Sequence, residues 1–150
     1  MKIQQFVEEE VERQGFRRKT AAFHERVAGM MMAWGWAIAQ ARDSKWPSEW
    51  DVLAMGKMIE PYCNSDGYRQ VDVWVGGHKG AIPAVIPSLM RDWALDVLTE
   101  MSADEAYLRF ERIHPFVDGN GRTGKIIHNW LLGSLWKPVL VKDYFGGGVP

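Results

Sequence analysis

The segment HPFVDGNGRTGK, from His114 to Lys125, concentrates residue types that can bind a phosphate ester and react at it. A helix predicted to begin near Arg122 offers unpaired N–H groups and the positive end of its dipole to an anion. Arg122 and Lys125 lie three residues apart, so both can reach phosphates from the first helical turn. Glycines let the preceding backbone turn its N–H groups toward the anion without a Cβ clash; they are Gly119, Gly121 and Gly124.

Two residues before this helix supply groups for chemistry at phosphorus. His114 is suited to take the proton from an incoming hydroxyl. Asp118 is a carboxylate that can bind magnesium when phosphate oxygens complete the coordination shell. The loop therefore combines a base, a metal ligand, an anion-binding backbone and two cations. Phosphoryl or nucleotidyl transfer requires this set, because its catalysis depends on positioning and charge neutralisation.

Residues 119–125 also match seven of the eight positions of the Walker A pattern G-x-x-x-x-G-K-[ST]. Ile126 occupies the eighth position, where a hydroxyl should bind magnesium. A Walker A loop follows a buried strand, whereas Pro115 and the helical pattern before it disfavour a strand here. A P-loop NTPase is therefore the minor alternative, and it would hydrolyse nucleotide without a protein target.

The elements that must position the loop are predicted to be mainly helical. Helix-forming residues occupy 3–14 and 18–42, with Gly15 as the break between them. A third helix follows Pro47 and ends near Met58, and a fourth runs from about Pro87 to Met101. Ser102 begins a capping-box pattern for a fifth helix, and a last helix follows the glycines.

One strand is predicted, over residues 69–75, because polar and apolar residues alternate there. Val71, Val73 and Val75 would share one face, and Asp72 and Trp74 the other. The glycines at 76 and 77 end the strand, and the proline-containing segment after them is expected to return as the second arm of a short hairpin.

Composition and charge narrow the class of protein. The chain has 150 residues, of which 47% are hydrophobic and 25% charged, which predicts one globular domain over residues 1–150. The net charge of −1 gives no indication of a nucleic acid partner. The single cysteine, Cys63, is typical of a reducing compartment, so we expect a cytoplasmic location. The longest apolar run, residues 27–39, is too short to span a bilayer, so no membrane association is expected.

The segment from His114 to Lys125 resembles the signature of the Fic-domain family, H-P-F-x-[D/E]-G-N-G-R-x-x-R, in eleven of twelve positions. Residues 67–90 are similar to the family's flap hairpin and the helix after it, and residues 106–116 to the helix before the loop. The resemblance covers about residues 50–145, whereas residues 3–42 match only as generic helices. It implies a mainly α Fic fold, a helical bundle with a small β-hairpin flap.

The resemblance implies a protein adenylyltransferase that transfers AMP from Mg²⁺-ATP to a Ser, Thr or Tyr hydroxyl of a protein substrate. His114 would be the base, Asp118 would hold Mg²⁺, and Phe116 would anchor the loop. The nucleotide phosphates would be bound by Gly119, Asn120, Gly121, Arg122 and Lys125. The flap would align the target by β-strand addition through Arg69, Val71, Asp72, Val73, Trp74 and Val75.

The sequence departs from the family signature at Lys125, which replaces the second Arg and loses its planar fork. Some relatives transfer UMP, phosphocholine or phosphate, but Gly-Asn-Gly at 119–121 is the nucleotidyl-transfer form and favours AMP. The family's inhibitory pattern [S/T]-x-x-x-E-[G/N], whose Glu pairs with the second Arg, does not occur in this sequence. A separate antitoxin-like partner is then one possible regulator.

A non-catalytic or weakly active member that binds nucleotide or a partner protein is the alternative to an active transferase. Tyr144 and Phe145 are placed either near the nucleotide base or in the packing of the tail. The oligomeric state and the identity of the target are left open by the sequence.

Overall fold

The computed structural model describes residues 1–99 and 101–141, and this part of the chain is a helical bundle with one small hairpin. Tyr144, Phe145 and the predicted end of the family-like region lie outside the described residues. The helices are α1 (Ile3–Arg13), α2 (Ala21–Ala41), α3 (Glu49–Ile59), α4 (Ile86–Val97), α5 (Ala103–Ile113) and α6 (Asn120–Leu132). The strands are β1 (Trp74–Val75) and β2 (His78–Lys79), and a 3₁₀ turn at Pro83–Val85 leads into α4.

Side-chain caps explain where three of the helices begin. Thr20 caps α2 by accepting a hydrogen bond from the N–H of Phe23 at 3.1 Å. Ser48 and Asp51 form a reciprocal capping box at the start of α3, so Pro47 precedes the cap instead of occupying the first turn. Ser102 accepts from the N–H of Glu105 at 3.1 Å and begins α5 where the sequence pattern predicted it.

All of the helices α1 to α6 contribute buried residues to one hydrophobic core. Its largest buried aromatic residues include Trp34, Trp93 and Phe110, each no more than 1% exposed. Trp93 donates its indole N–H to the carbonyl of Ala106, which joins α4 to α5. None of the helices in the described residues combines the length and the apolar character that a membrane-spanning helix requires.

The predicted strand over residues 69–75 was too long. β1 covers only Trp74–Val75, which pairs antiparallel with β2 in the register Trp74 to Lys79 and Val75 to His78. The reason is that residues 69–71 bond elsewhere: the N–H of Arg69 donates to Pro115 in the loop, and its guanidinium donates to the carbonyl of Val71. The prediction that the valines at 71, 73 and 75 share one face is also wrong, because Val75 is 4% exposed whereas Val71 is 55% exposed.

The helices differ from the predicted bounds at two places near the site. α4 ends at Val97 instead of about Met101, because the carbonyls of Leu95 and Asp96 accept from Leu98 and Thr99 in a tightened last turn. α6 begins at Asn120, two residues before the predicted start, because Gly119 at φ 78° turns the chain directly into the first helical turn.

Candidate active site

The loop between α5 and α6 is anchored by Phe116 and Asn120. The amide of Asn120 bonds to Phe116 twice, accepting from its N–H at 2.9 Å and donating to its carbonyl at 2.9 Å. The Phe116 ring is 0% exposed and packs so close to α3 that a Cβ on Gly56 would lie 2.4 Å from it. Asn120 therefore shapes the loop with its side chain, while its backbone N–H lies in the first turn of α6, where the helix supplies no acceptor.

His114 caps the end of α5 in a left-handed conformation, with φ 51° and ψ 65°. Non-glycine residues rarely adopt this conformation, and it recurs at functional sites. Its Nδ1 lies 3.1 Å from the carbonyl oxygen of Glu111. A carbonyl can only accept, so Nδ1 carries the hydrogen and Nε2 keeps its lone pair. Burial lowers the pKa of His114, and the nearby charge of Arg69 lowers it further, which favours the neutral form that a base needs.

At the N-terminus of α6, the positive end of the helix dipole lies beside the buried side chain of Arg122. Arg122 is 1% exposed and donates from Nη2 to Glu60 at 2.8 Å, while Glu60 also accepts from Arg26 at 3.1 Å. Within the described residues, Nε and Nη1 of Arg122 have no hydrogen-bond partner. Buried donors of a charged group are costly to leave unpaired, so these two nitrogens are suited to bind an anion.

Asp118 presents its carboxylate at the surface beside this arginine. Its side chain is 52% exposed, and Oδ1 accepts from the N–H of Gly119 at 2.7 Å. Asn64, in the turn after α3, supports the loop by donating to the Asp118 carbonyl at 2.9 Å. The carboxylate is therefore fixed and accessible.

Glu60, Cys63 and Asp118 place one potential metal-ligand atom each within 4.8 Å of the others, but their chemistry does not suit a metal ion bound by all three. Glu60 is shared by two guanidinium groups, which neutralise the charge that a cation would need. Burial raises the pKa of the Cys63 thiol, and a sulfur ligand does not suit a hard cation. Asp118 alone fits Mg²⁺, which commonly takes one or two carboxylates together with phosphate oxygens.

Lys125 lies in the protein interior. Its Nζ is 2.6 Å from Glu10 of α1, and both side chains are 1% exposed. Glu10 also accepts from Arg13 at 2.9 Å and Gln14 at 3.0 Å. Lys125 is therefore paired inside the bundle and does not present its ammonium group at the surface.

Glu111 completes a buried cluster with this ion pair. It is 0% exposed, and neither carboxyl oxygen has a hydrogen-bond partner among the described residues. Burial raises the pKa of Glu111 to about 8, against the opposing effect of Lys125. Its Oε2 lies 4.0 Å from Nδ1 of His114, so a carboxyl group whose raised pKa favours the protonated form lies beside the imidazole.

The hairpin residues predicted to dock a target are not all accessible. Trp74 is 71% exposed and Val71 is 55% exposed, while Asp72 forms a surface ion pair with Lys79 at 3.0 Å. Val73 is half-buried and Val75 is buried. Arg69 is 1% exposed and is bonded to the loop around His114, so its side chain cannot contact a target strand.

Several residues that shape the site carried no signal in the sequence. Glu60, Arg26, Glu10 and Glu111 belong to ordinary charged helical faces until the chain is folded. Only burial and the partners across the bundle distinguish them. Asn64 was not identifiable from the sequence either, because it lies in the turn after α3, where asparagine is common.

The family model for the Fic/DOC family matches residues 46–132, more than half of the chain. The chain belongs to the Fic/DOC family. The match spans α3, the hairpin and all of α4 to α6, so the Fic domain contains the loop and its anchoring elements.

Curated relatives of this Fic domain are named protein adenylyltransferase Fic. The relative from Drosophila mojavensis is 28% identical over 129 residues, covering 79% of this chain and 26% of its own length. The one from Drosophila sechellia is 37% identical over 82 residues, covering 49% of this chain and 17% of its own. The chain therefore spans about a quarter of their length or less.

Solved structures show the same fold. Fic-1 from C. elegans (residues 134–508) has a TM-score of 0.68 at 19% identity, covering 89% of this chain and 44% of that one. A Fic family protein from Desulfovibrio desulfuricans G20 has a TM-score of 0.63 at 24% identity, covering 88% and 43%. The mainly α Fic fold with a small hairpin, predicted from the sequence, is confirmed.

Proposed function

We propose that this Fic domain is a protein adenylyltransferase that transfers AMP from Mg²⁺-ATP to a hydroxyl group of a protein substrate. The target oxygen would bond to the α-phosphorus, the bond from that phosphorus to the β-phosphate oxygen would break, and pyrophosphate would leave. The observation that carries the proposal is Arg122, a buried guanidinium at a helix N-terminus with two donors unfilled among the described residues.

His114 would receive the proton of the target hydroxyl at Nε2. Its Nδ1–H is held by the Glu111 carbonyl, so the ring orientation and the tautomer are set before substrate arrives. The lowered pKa of His114 keeps the ring neutral at physiological pH. When the ring becomes charged, the carbonyl of Glu111 continues to accept from Nδ1 and stabilises the imidazolium.

The start of α6 would bind the phosphates. Backbone N–H groups of Gly121 and Arg122 lie in the first turn, where a helix supplies no acceptor, and they add to the free donors of the Arg122 side chain. Bound Mg²⁺ would neutralise phosphate charge, and Asp118 is the residue that would hold it. Lys125 supports this helix from inside through Glu10, and it would reach a phosphate only by leaving that pair.

The exposed edge of the hairpin would align the substrate. Trp74 and Val71 offer an apolar surface beside it, so an extended target segment could pair with the backbone and pack against them. The proposal thus requires a protein substrate. A reducing, cytoplasmic setting and a separate antitoxin-like regulator remain expectations from the sequence and the resemblance.

Labelled nucleotide tests the reaction directly. The protein is incubated with cell lysate and either [α-³²P]ATP or [γ-³²P]ATP, and labelled proteins are separated by gel. Label from the α position only, lost in His114→Ala, is the expected result. Label from the γ position would indicate phosphate transfer, and label from neither position would contradict adenylyl transfer.

A weakly active or binding-only protein is the second candidate, and a specific observation favours it. Glu60 already occupies one edge of Arg122 at 2.8 Å, and Glu10 holds Lys125 at 2.6 Å. Nucleotide phosphates must compete with these carboxylates. We expect Glu60→Gln to bind ATP about tenfold more tightly by calorimetry, because losing a charged competitor gains roughly 1.4 kcal/mol. Unchanged affinity would show that Glu60 does not limit binding, and Asp96→Asn serves as a surface control.

A further inference from the structure

Arg69 is a buried side chain that the hairpin and the loop at His114 share. Its guanidinium donates to four carbonyl oxygens. Toward the loop, Nε donates to His114 at 2.6 Å and Nη2 to Ile113 at 3.2 Å. Toward the hairpin, Nη1 donates to Val71 at 2.7 Å and Nη2 to Ala81 at 2.7 Å.

These bonds fix the backbone on both sides of His114. The N–H of Arg69 donates to the carbonyl of Pro115 at 2.9 Å, so three consecutive carbonyls, at residues 113, 114 and 115, accept from this one residue. The left-handed conformation of His114 carries an energetic cost and persists only where its surroundings hold it. Arg69 is the residue that makes most of these restraining contacts.

We propose that Arg69 is a positioning residue for His114. It holds the left-handed turn that aims the imidazole, and it fastens both arms of the hairpin to that turn, so that the base and the docking edge keep one relative position. The inference rests on the proposed function, in which His114 is the base and the hairpin docks the substrate.

Because Arg69 is positively charged, it affects the pKa of His114, which an uncharged side chain packed in the same place would not do. The groups facing His114 are the carbonyl and carboxyl of Glu111 on α5, Asp118 in the loop, and Arg69 from the hairpin side. Burial and the charge of Arg69 lower the pKa of His114, while the hydrogen bond to the Glu111 carbonyl and the charge of Asp118 raise it. A substitution that removes the charge should therefore raise that pKa, whereas one that only loosens the geometry should not.

Two variants separate the charge from the geometry. Arg69→Met removes both, while Arg69→Lys keeps a positive charge but loses the planar fork that reaches four carbonyls. Imidazole titration is followed by NMR in histidine-labelled protein, with the His114 resonance assigned by its loss in His114→Ala. Arg109→Met removes another arginine, from an exposed ion pair on α5 with Asp96, and serves as the control.

We expect Arg69→Met to shift the His114 resonance and raise its pKa, and Arg69→Lys to shift the resonance while the pKa stays low. In the labelling assay, kcat should fall about 100-fold in both variants with little change in the KM for ATP, because a misplaced base costs this much. Arg109→Met should match wild type in every measurement.

If Arg69→Met does not fold, Gly80→Ala tests the same contact more gently. A Cβ on Gly80 would lie 2.9 Å from Nη2 of Arg69, so the guanidinium must shift while its charge remains. The expected result is a shifted His114 resonance with a pKa that stays low.

The proposal is overturned if a folded Arg69 variant leaves both the resonance and the pKa of His114 as in wild type. A folded Arg69 variant that keeps the kcat of an active wild-type protein would overturn it as well. The NMR result needs no turnover, so it remains decisive even if the wild-type protein transfers no AMP.

Discussion

Glu111 should make the stability of this Fic domain fall as pH rises, and a single substitution can remove the effect. Burial raises the pKa of Glu111 from 4.5 to about 8 in the folded protein. Between these values the folded protein keeps the proton, while the unfolded chain releases it. Unfolding then releases one proton, so the free energy of unfolding falls by about 1.4 kcal/mol per pH unit.

The amide in Glu111→Gln has no proton to lose, so the variant should lack this slope. Stability is measured by urea unfolding at fixed ionic strength and temperature, at intervals from pH 5.5 to 7.5, with tryptophan fluorescence as the signal. Over this interval, wild type should lose roughly 3 kcal/mol relative to Glu111→Gln. The comparison cancels the other titrating groups, provided that they are unaffected by the substitution.

Glu105→Gln is the matched control, because Glu105 is an exposed residue of the same helix. Its stability should follow the pH dependence of wild type. Parallel curves for wild type and Glu111→Gln would refute the reasoning, since they would mean that Glu111 is ionised in the folded protein and that Lys125 offsets its burial.

Two further predictions concern packing around the same cluster. Lys125→Met should destabilise the protein by up to about 3–5 kcal/mol in urea unfolding, because it removes the buried cation beside Glu10 and leaves only the exposed Arg13 paired with it. The added substitution Glu10→Gln should recover part of this loss. Gly124→Ala should lower the melting temperature, because its Cβ would lie 2.6 Å from Oε1 of Glu111. A Cβ on Gly35, in the middle of α2, would have no atom within 4 Å, so Gly35→Ala should stabilise the protein by roughly 0.5–1 kcal/mol and raise its melting temperature. Equal effects of the two alanine substitutions would contradict this account.

The helical part of the fold could be predicted from the sequence because its signals are local. The cap at Ser102 and the break near Gly15 depend on neighbouring residues, and each appeared in the structure at the predicted place. The strand over 69–75 was wrong for a related reason. Its alternating pattern is local too, but Arg69 donates hydrogen bonds to the distant carbonyls of Ile113 and His114. The chain around Arg69 therefore packs against the loop and does not continue the strand pairing.

The loop residues of the candidate site could also be predicted from the sequence, since the motif places them within twelve positions. The residues that pair with Lys125 and Arg122 in the folded protein could not be predicted from the sequence. Lys125 pairs with Glu10 across 115 positions, and Arg122 with Glu60 across 62. No local pattern marks such pairs, because each glutamate belongs to a charged helical face and its burial depends on how the helices pack.

The central claim, adenylyl transfer with His114 as the base, is tested most directly by the intact mass of the purified protein after incubation with Mg²⁺ and ATP. Self-modification requires no knowledge of the target, and a known acceptor can be added once the lysate labelling identifies one. The account predicts a gain of one adenylyl group on the protein or the added acceptor, absent in His114→Ala. A gain of one phosphate, or a gain that persists in His114→Ala, would contradict it.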